Sequence, residues 1–195
     1  GVQGEVIVIN DGSTDRTAEV IKQFEESHKN VKSLHHERPH GIGASFWEGA
    51  HAARGDAVTM VPGDGENDCS EILRYLRLLD CVDIVIPFVY NVQNRSLTRR
   101  LVSKSYKAII NLSFGLLLNY MNGTVIFRRS VLLSLSLRSR GFFYQTELLV
   151  QAIKRGYLYA EVPYALRQRL HGKSRALTAR SFVRVFSDFV ATRVA

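Results

Sequence analysis

The stretch Asn10-Asp11-Gly12-Ser13-Thr14-Asp15 decides the fold, because it directly follows an apolar run from Val6 to Ile9. Such a run predicts a buried strand, and Gly12 permits a tight turn into a helix. Ser13 and Asp15 can cap the first amides of that helix, which leaves Asp11 at the crevice where open α/β sheets bind ligands. The stretch therefore predicts a ligand site, although the same residues also suit an ordinary strand-to-helix turn.

A second acidic loop, Pro62-Gly63-Asp64-Gly65-Glu66-Asn67-Asp68, follows another apolar run at 57–61. Apolar runs predict strands at 4–10, 31–36, 57–61, 83–87, 123–127 and 158–162, and helical periodicity predicts helices at 14–27, 43–54, 70–79 and 141–154. Alternation of this kind is typical of an α/β fold with a mostly parallel sheet and helices on both faces. Both acidic loops are then expected to open on one edge of the sheet.

Apolar residues at helical spacing predict which helix faces pack on that sheet. Val20, Ile21 and Phe24 are expected to form the core stripe of the first helix. The corresponding stripe of the third helix consists of Ile72, Leu73, Leu76 and Leu79. A chain of 195 residues with 46% hydrophobic residues is expected to form a single domain over 1–195.

The net charge of +8 favours anionic partners, which include phosphates, acidic membranes and nucleic acids. Basic residues crowd the last part of the chain while carboxylates lie in the first half, which suits a metal and phosphate site better than a duplex-binding face. Cys69 and Cys81 are too few for a disulfide framework, so a cytoplasmic location is expected. The apolar stretch at 108–118 is too short for a membrane span and predicts a buried or interfacial helix.

Several motifs in order along the chain give it a resemblance to family 2 glycosyltransferases. The first half carries Asn10 to Asp15, then His40-Gly41-Ile42-Gly43-Ala44-Ser45, Gly49, Ala53-Arg54-Gly55-Asp56 and the acidic loop. The second half carries Gly141-Phe142-Phe143, Glu147-Leu148-Leu149, Gly156-Tyr157, Glu161-Val162-Pro163 and Arg169 with Gly172-Lys173-Ser174. These later motifs are similar to the dolichol- or polyprenyl-phosphate sugar transferase branch, and the resemblance covers about residues 4 to 176.

The resemblance implies a GT-A fold, which is a Rossmann-like, mostly parallel sheet. It implies a nucleotide-sugar-binding half at about 1–90 and an acceptor half at about 91–176. Beyond it, apolar residues interleaved with arginines predict a basic amphipathic tail at 177–195. That tail can lie on an anionic bilayer or pack back on the domain. The family's first strand, which ends in a Pro-x-x-Asn-Glu type motif, has no counterpart here, so the chain is expected to be a fragment.

The resemblance also implies a donor site. Asp11 matches the aspartate that contacts the nucleotide base, and Gly12, Ser13, Gly41, Gly43 and Asp64 complete the expected donor contacts. Asp64 and Glu66 are candidate ligands of Mg²⁺ or Mn²⁺, since carboxylates two positions apart can present oxygens to a hard cation. Pro62 replaces the first aspartate of the family's Asp-x-Asp motif, and Asp68 is expected to cap the next helix. The alternative is that this loop is only a solvated turn.

Three further residues are candidates for catalysis. Arg169 and Lys173 match a basic loop near the donor diphosphate, where positive charge stabilises the leaving group. Glu147 matches an acidic position in the acceptor region. For a hydroxyl acceptor it is the candidate base, whereas a lipid phosphate is already anionic and leaves Glu147 only to organise the site.

Two other positions bear on the site. Asn119 stands where the branch has an aspartate. His35 and His36 are adjacent on a predicted strand and face opposite sides, so they do not form a metal pair.

These residues together predict an inverting, metal-dependent transfer from a GDP- or UDP-sugar to an acceptor, with polyprenyl phosphate favoured over a saccharide. The protein is then expected at a membrane surface, and nucleic acid is not an expected partner. Two alternatives stay open. One is a degenerate transferase domain or basic module without catalysis, and the other is a nucleotidyltransferase.

Overall fold

The computed structural model describes residues 3–91, 97–167 and 179–194. The strands are β1 (Val6–Asp11), β2 (Val31–His36), β3 (Ala57–Thr59), β4 (Ile84–Val89), β5 (Ile126–Arg128) and β6 (Tyr159–Tyr164). The helices are α1 (Thr17–Ser27), α2 (Ile42–Ala52), α3 (Cys69–Leu73), α4 (Leu97–Phe114), α5 (Arg129–Ser134), α6 (Tyr144–Lys154) and α7 (Ala179–Val194), with a 3-10 turn at Leu76–Asp80.

The strands form two sheets among the described residues. β1 and β2 pair in parallel, in a register that sets Asp11 beside His36. The other sheet has the order β3-β5-β4-β6. β4 pairs with β6 in parallel, whereas β5 runs antiparallel to both β3 and β4. The α/β class is confirmed. The prediction that both acidic loops open on one edge of a single sheet is wrong, because β1 and β3, which precede the two loops, belong to different sheets. The four-stranded sheet is mixed, because β5 runs antiparallel to both of its neighbours.

The core lies on both faces of β4, because successive side chains of a strand point to opposite sides. Ile84 and Ile86 join the larger cluster, with Leu148 and Leu149 of α6. Val85 points the other way into a smaller cluster with Ile72, Leu79, Ile126 and Val162. A strand buried on both faces explains why the sequence at 84–89 is continuously apolar.

The predicted core stripe of α1 is wrong in part. Ile21 is buried, but Val20 and Phe24 are 46% and 55% exposed. On α3, Ile72 is buried as expected, whereas Leu73 is 40% exposed. Helical spacing identifies an apolar stripe, but the width of the sheet that a helix covers decides how much of the stripe is buried.

The predicted apolar helix at 108–118 is the end of a longer helix. α4 extends from Leu97 to Phe114, so residues 115–118 of the predicted helix lie beyond its end, and Gly115 follows with a φ of 67°. The Asn111 side chain holds this following segment: its Nδ2 donates to the Leu118 carbonyl at 3.0 Å, and its Oδ1 accepts from the Leu118 amide at 3.1 Å. Within the described parts of the chain, no helix combines the length and apolarity that crossing a bilayer requires.

The terminal helix α7 packs back on the domain. The Phe189 ring lies 5.7 Å from that of Phe114 and 6.4 Å from that of Phe143, each edge to face. Val183 and Phe186 on the same helix are 71% and 68% exposed. The helix is therefore amphipathic, with an apolar patch left uncovered beside its packed side.

Candidate functional site

Asp11 ends β1 with its carboxylate held by three donors. Its Oδ1 accepts from the His36 Nδ1 at 2.7 Å and from the His40 amide at 2.7 Å. Its Oδ2 accepts from the Gly41 amide at 2.9 Å. Burial by itself raises the pKa of Asp11, but these hydrogen bonds outweigh it and hold the pKa below its usual value. The site thus presents a fixed anionic group at the carboxyl end of a strand.

Gly12 and Ser13 shape the turn that follows. Gly12 has a φ of 72°, and a Cβ there would lie 2.7 Å from the Pro39 ring. The Ser13 amide donates to the Asn10 Oδ1 at 3.1 Å, while Asp15 accepts from the Thr17 amide at 3.0 Å. These contacts account for the turn itself, and the donor-binding roles of Gly12 and Ser13 stay predictions.

Gly41 and Gly43 bring the start of α2 against the backbone at 139–140. A Cβ on Gly41 would lie 2.4 Å from the Arg140 carbonyl oxygen, and one on Gly43 would lie 2.4 Å from that of Ser139. The Gly43 amide also donates to the Arg140 carbonyl at 3.0 Å. The close approach that these glycines allow is therefore to the protein's own backbone, and a donor contact by either stays a prediction.

The acidic loop is ordered by its own side chains. The Asp64 Oδ1 accepts from the Glu66 amide at 3.1 Å, and both residues are half-buried. Asp68 accepts from the Ser70 amide at 3.0 Å and caps α3, as predicted. Metal binding by Asp64 and Glu66 stays a prediction, as does the shared cleft between Asp64 and Asp11.

The chain after β6 returns to this acidic loop. The Arg167 amide donates to the Glu66 carbonyl at 2.9 Å, and its guanidinium forms an ion pair with Asp68. Arg167 begins the basic segment expected near the diphosphate. Arg169 and Lys173 lie outside the described residues, so their roles stay predictions.

Glu147 is buried on α6, with 3% of its surface exposed. Its Oε2 accepts from the Ser139 amide at 2.8 Å and its Oε1 from the Arg138 amide at 3.2 Å. Burial raises the pKa of Glu147, the two amides oppose the rise, and the neighbouring carboxylate of Asp188 adds to it. A carboxylate engaged by backbone amides in this way positions the loop at 137–140.

Ser139 connects that loop to the terminal helix. The Ser139 hydroxyl donates to the Asp188 Oδ2 at 2.5 Å. The loop at 137–140 is thus fixed by α2, α6 and α7 together. It also lines a cavity of about 660 Å³, whose other wall is formed by His40, in the turn before α2, and by the α2 residues Ala44, Trp47, Glu48 and His51.

The Asn119 side chain makes a contact that an ionised aspartate at this position could not make. Its backbone amide and its Nδ2 donate to the two carboxylate oxygens of Glu161, at 2.7 and 2.9 Å. The amide side chain is a donor here, whereas an ionised aspartate can only accept. The asparagine that replaces the family's aspartate is therefore compatible with the neighbouring Glu161, which accepts its hydrogen bond.

His36 and His35 face opposite sides of β2, as expected from strand geometry. The His36 ring lies between two carboxylates, with Nδ1 at 2.7 Å from Asp11 and Nε2 at 2.6 Å from Glu48. The Asp11 hydrogen bond raises the pKa of His36, desolvation opposes it, and Glu48 adds to the rise. The sequence reasoning missed Glu48, whose helical position opposite the end of β2 becomes evident only in the fold.

With this geometry established, comparisons with known proteins identify the family. A sequence model described as Glycosyl transferase family 2 matches residues 3–135. The chain belongs to this family. The matched region of this family 2 chain contains the Asp11 turn, the glycines at 41 and 43 and the acidic loop.

Curated relatives share parts of the chain. A dolichyl-phosphate beta-glucosyltransferase of Trichomonas vaginalis is 40% identical over 67 residues, which are 34% of this chain and 20% of that protein. A polyprenol monophosphomannose synthase of Mycolicibacterium smegmatis is 27% identical over 186 residues, covering 89% of this chain and 70% of that one. The chain thus aligns with only a fifth of the first of these relatives and with most of the second.

Solved structures resemble the whole chain. Glucosyl-3-phosphoglycerate synthase of Mycobacterium tuberculosis, in complex with phosphoglyceric acid, has a TM-score of 0.72 and 22% identity, covering 97% of this chain and 69% of that one. The same enzyme with Mn²⁺, UDP-glucose and phosphoglyceric acid has a TM-score of 0.70 and 22% identity, covering 96% and 68%. The similarity shows that the fold is GT-A.

Proposed function

We propose that this family 2 chain performs inverting transfer of a sugar from a nucleotide diphosphate sugar, GDP- or UDP-linked, to a polyprenyl phosphate. The environment of Glu147 supports a phosphate rather than a hydroxyl as the acceptor group. A hydroxyl acceptor requires a base, and the candidate base is buried with its oxygens engaged by the Ser139 and Arg138 amides. A phosphate acceptor is already anionic, so a Glu147 that only positions the loop is compatible with it.

The acidic loop supplies the chemistry for a divalent ion. Asp64 and Glu66 are carboxylates on a half-buried, glycine-containing loop, and hard cations such as Mg²⁺ and Mn²⁺ prefer such oxygen ligands. When bound, the ion neutralises the diphosphate leaving group. Mn²⁺ and UDP-glucose are named for the structurally similar synthase of M. tuberculosis, which supports this role for the loop.

Arg167 links this loop to the basic segment. The hydrogen bond from its backbone amide to the Glu66 carbonyl, together with its ion pair with Asp68, holds Arg167 at the acidic loop. Arg169 and Lys173 follow within a few residues and would stabilise negative charge on the departing diphosphate. Asp11, held anionic by its hydrogen bonds, would accept a base N–H of the nucleoside.

Exposed apolar residues on two neighbouring helices support a membrane-surface location. On α4, Leu101 and Leu112 are 65% and 86% exposed, and on α7 Phe186 is 68% exposed. The Phe114 and Phe189 rings join the two helices, and the α4 sequence contains basic but no acidic residues. Such a surface suits an anionic bilayer that carries the lipid acceptor.

A small phosphorylated acceptor is the second candidate. The structurally similar synthase of M. tuberculosis is named in complexes with phosphoglyceric acid, which is also anionic. Transfer to the hydroxyl of such an acceptor requires a base, and the candidate base Glu147 is engaged by backbone amides. The exposed apolar residues of α4 and α7 also support the lipid rather than a small acceptor.

Calorimetry with GDP- and UDP-sugars, with and without Mn²⁺, tests the donor half of the proposal. We expect donor binding that strengthens with Mn²⁺ and that Asp64→Ala abolishes, while Asp80→Ala, which removes an exposed carboxylate outside the loop, leaves it unchanged. Unchanged affinity in Asp64→Ala would contradict the metal assignment. A chain that binds no nucleotide sugar would favour a degenerate module, and a chain that binds nucleoside triphosphates instead would favour a nucleotidyltransferase.

Transfer assays with a labelled donor test the acceptor half. We expect product with polyprenyl phosphate and none with phosphoglycerate. Glu147→Gln should retain much of the activity toward the lipid phosphate, because the variant keeps a polar group near the loop amides. Loss of all transfer by folded Glu147→Gln would instead indicate that Glu147 acts as a base.

A further inference from the structure

A side-chain cluster at the carboxyl end of β2 has no part in the proposed transfer reaction. His36, His40 and Glu48 each bring a ring nitrogen or carboxylate oxygen to within 4.8 Å of the others. The His36 Nε2 lies 2.6 Å from the Glu48 Oε2, and the His40 ring stacks on that of His36 at 4.2 Å. Three metal-ligating groups therefore converge from a strand end, a turn and a helix.

His36 is held as metal-binding histidines are held. Such a histidine usually donates its second ring N–H to a carboxylate, which fixes the ring and directs the other nitrogen at the ion. Here the His36 Nδ1 donates to the Asp11 Oδ1 at 2.7 Å, and the side chain is only 5% exposed. The in-register pairing of β1 with β2 produces this contact, so the orientation of Nε2 is set by the sheet itself.

We propose that His36, His40 and Glu48 form a second metal site, selective for Zn²⁺ or a similar transition ion. Two imidazoles and one carboxylate suit such an ion, whereas Mg²⁺ prefers oxygen ligands alone. On binding, the ion displaces the proton that lies between the His36 Nε2 and Glu48, and this proton is released to solvent. The site is distinct from the loop that contains Asp64 and Glu66.

Binding requires small movements of the two exposed ligands. Bonds of about 2.0 to 2.1 Å to a tetrahedral ion separate the ligand atoms by about 3.3 Å, so the contact between Nε2 and Glu48 has to open slightly. The Glu48 side chain is 49% exposed and His40 is exposed, so both can rotate while His36 stays fixed. The cavity of about 660 Å³ beside His40 and Glu48 has room for water to complete the coordination.

Titration of the full chain with Co²⁺, without nucleotide and in excess Mg²⁺, tests the site. Magnesium occupies oxygen-only sites, and Co²⁺ bound to nitrogen in a low-coordinate site gives strong visible absorption. We expect saturable one-to-one binding that Zn²⁺ displaces. Absence of this absorption as Co²⁺ is added to stoichiometric excess would overturn the proposal.

Variants of the two exposed residues, His40 and Glu48, identify the ligands with little effect on folding, and a variant of the half-buried Asp11 tests the orienting partner. His40→Ala and Glu48→Gln should each weaken binding about 10-fold or more, and Asp11→Asn, which alters the orienting partner, about 10- to 100-fold. His51→Ala is the matched control, because His51 is an exposed histidine on the same helix and lines the same cavity. Equal affinity in His40→Ala and the wild type, or equal losses in His40→Ala and His51→Ala, would refute the site.

The Asp64→Ala variant separates this site from the proposed transfer function. It should bind Co²⁺ with unchanged affinity even though donor binding is lost. A parallel loss of Co²⁺ binding in Asp64→Ala would assign the ion to the acidic loop and end the case for a second site.

Discussion

Replacing Gly43 with alanine tests whether the close contact between α2 and the 137–140 loop stabilises the fold. The added Cβ would lie 2.4 Å from the Ser139 carbonyl oxygen and 2.7 Å from the Tyr144 Cβ. The loop must retreat by about 1 Å to reach an ordinary contact distance of 3.4 Å. It cannot do so freely, because the Ser139 amide is bound to Glu147 at 2.8 Å and the Arg140 carbonyl to the Gly43 amide at 3.0 Å.

The size of the effect follows from three contributions. Overpacking against backbone costs about 1 to 3 kcal/mol, and a weakened hydrogen bond to the Gly43 amide costs about 1 kcal/mol more. The better helix propensity of alanine offsets up to about 1 kcal/mol. The free energy of unfolding should therefore fall by about 2 kcal/mol, which lowers Tm by about 4 to 8 °C in a chain of this length.

Gly49→Ala is the matched control on the same helix. Its Cβ would meet only the Ile9 Cδ1 at 2.8 Å, the end of a flexible side chain that can rotate away. Urea denaturation and thermal melts of both variants measure the difference. Equal stability of Gly43→Ala and Gly49→Ala would refute the claim that the loop at 137–140 is rigidly fixed against α2.

Two further predictions concern carboxylates. Asn119→Asp restores the residue typical of the branch but places a second carboxylate against Glu161, where Asn119 Nδ2 now donates at 2.9 Å. We expect the free energy of unfolding of Asn119→Asp to be about 1 to 2 kcal/mol lower at pH 7, with a difference that shrinks as the pH falls below about 4. Asn119→Ala shows how much of this decrease is due to the lost hydrogen bond alone. Because burial raises the pKa of Glu147, its carboxyl contributes most to stability below its unfolded value of 4.5, and that contribution is lost as pH rises through the raised pKa. The stability of wild type relative to Glu147→Gln should therefore increase between pH 7 and pH 5 in urea denaturation, and a constant difference would contradict the burial argument.

Local features of the fold could be predicted from the sequence. The cap of α3 by Asp68 depends on contacts within two residues, and it was found where the sequence placed it. The strand at 31–36 also has the predicted bounds, between turns on either side. In each case the residues that decide the structure are neighbours along the chain.

Features that depend on distant contacts could not be predicted. The antiparallel direction of β5 is set by its pairing with β3 and β4, and no pattern within 126–128 encodes it. Val20 and Phe24 lie at core spacing yet are exposed, because the extent of the sheet beneath α1 is not a property of α1. The hydrogen bonds from the amides at 138–139 to Glu147 could not be predicted either, because no sequence motif specifies which donors a buried carboxylate meets.

The bond between Ser139 and Asp188 has a practical consequence for protein engineering. Asp188 lies on the last helix, yet its partner forms one wall of the cavity beside α2. Deleting part of α7 would remove the exposed Phe186 and Val190 and could be chosen to improve solubility. It would also remove Asp188 and so free the loop that contains Ser139. Polar replacement of Phe186 alone is the safer route, because it leaves the Asp188 anchor and the Phe189 packing intact.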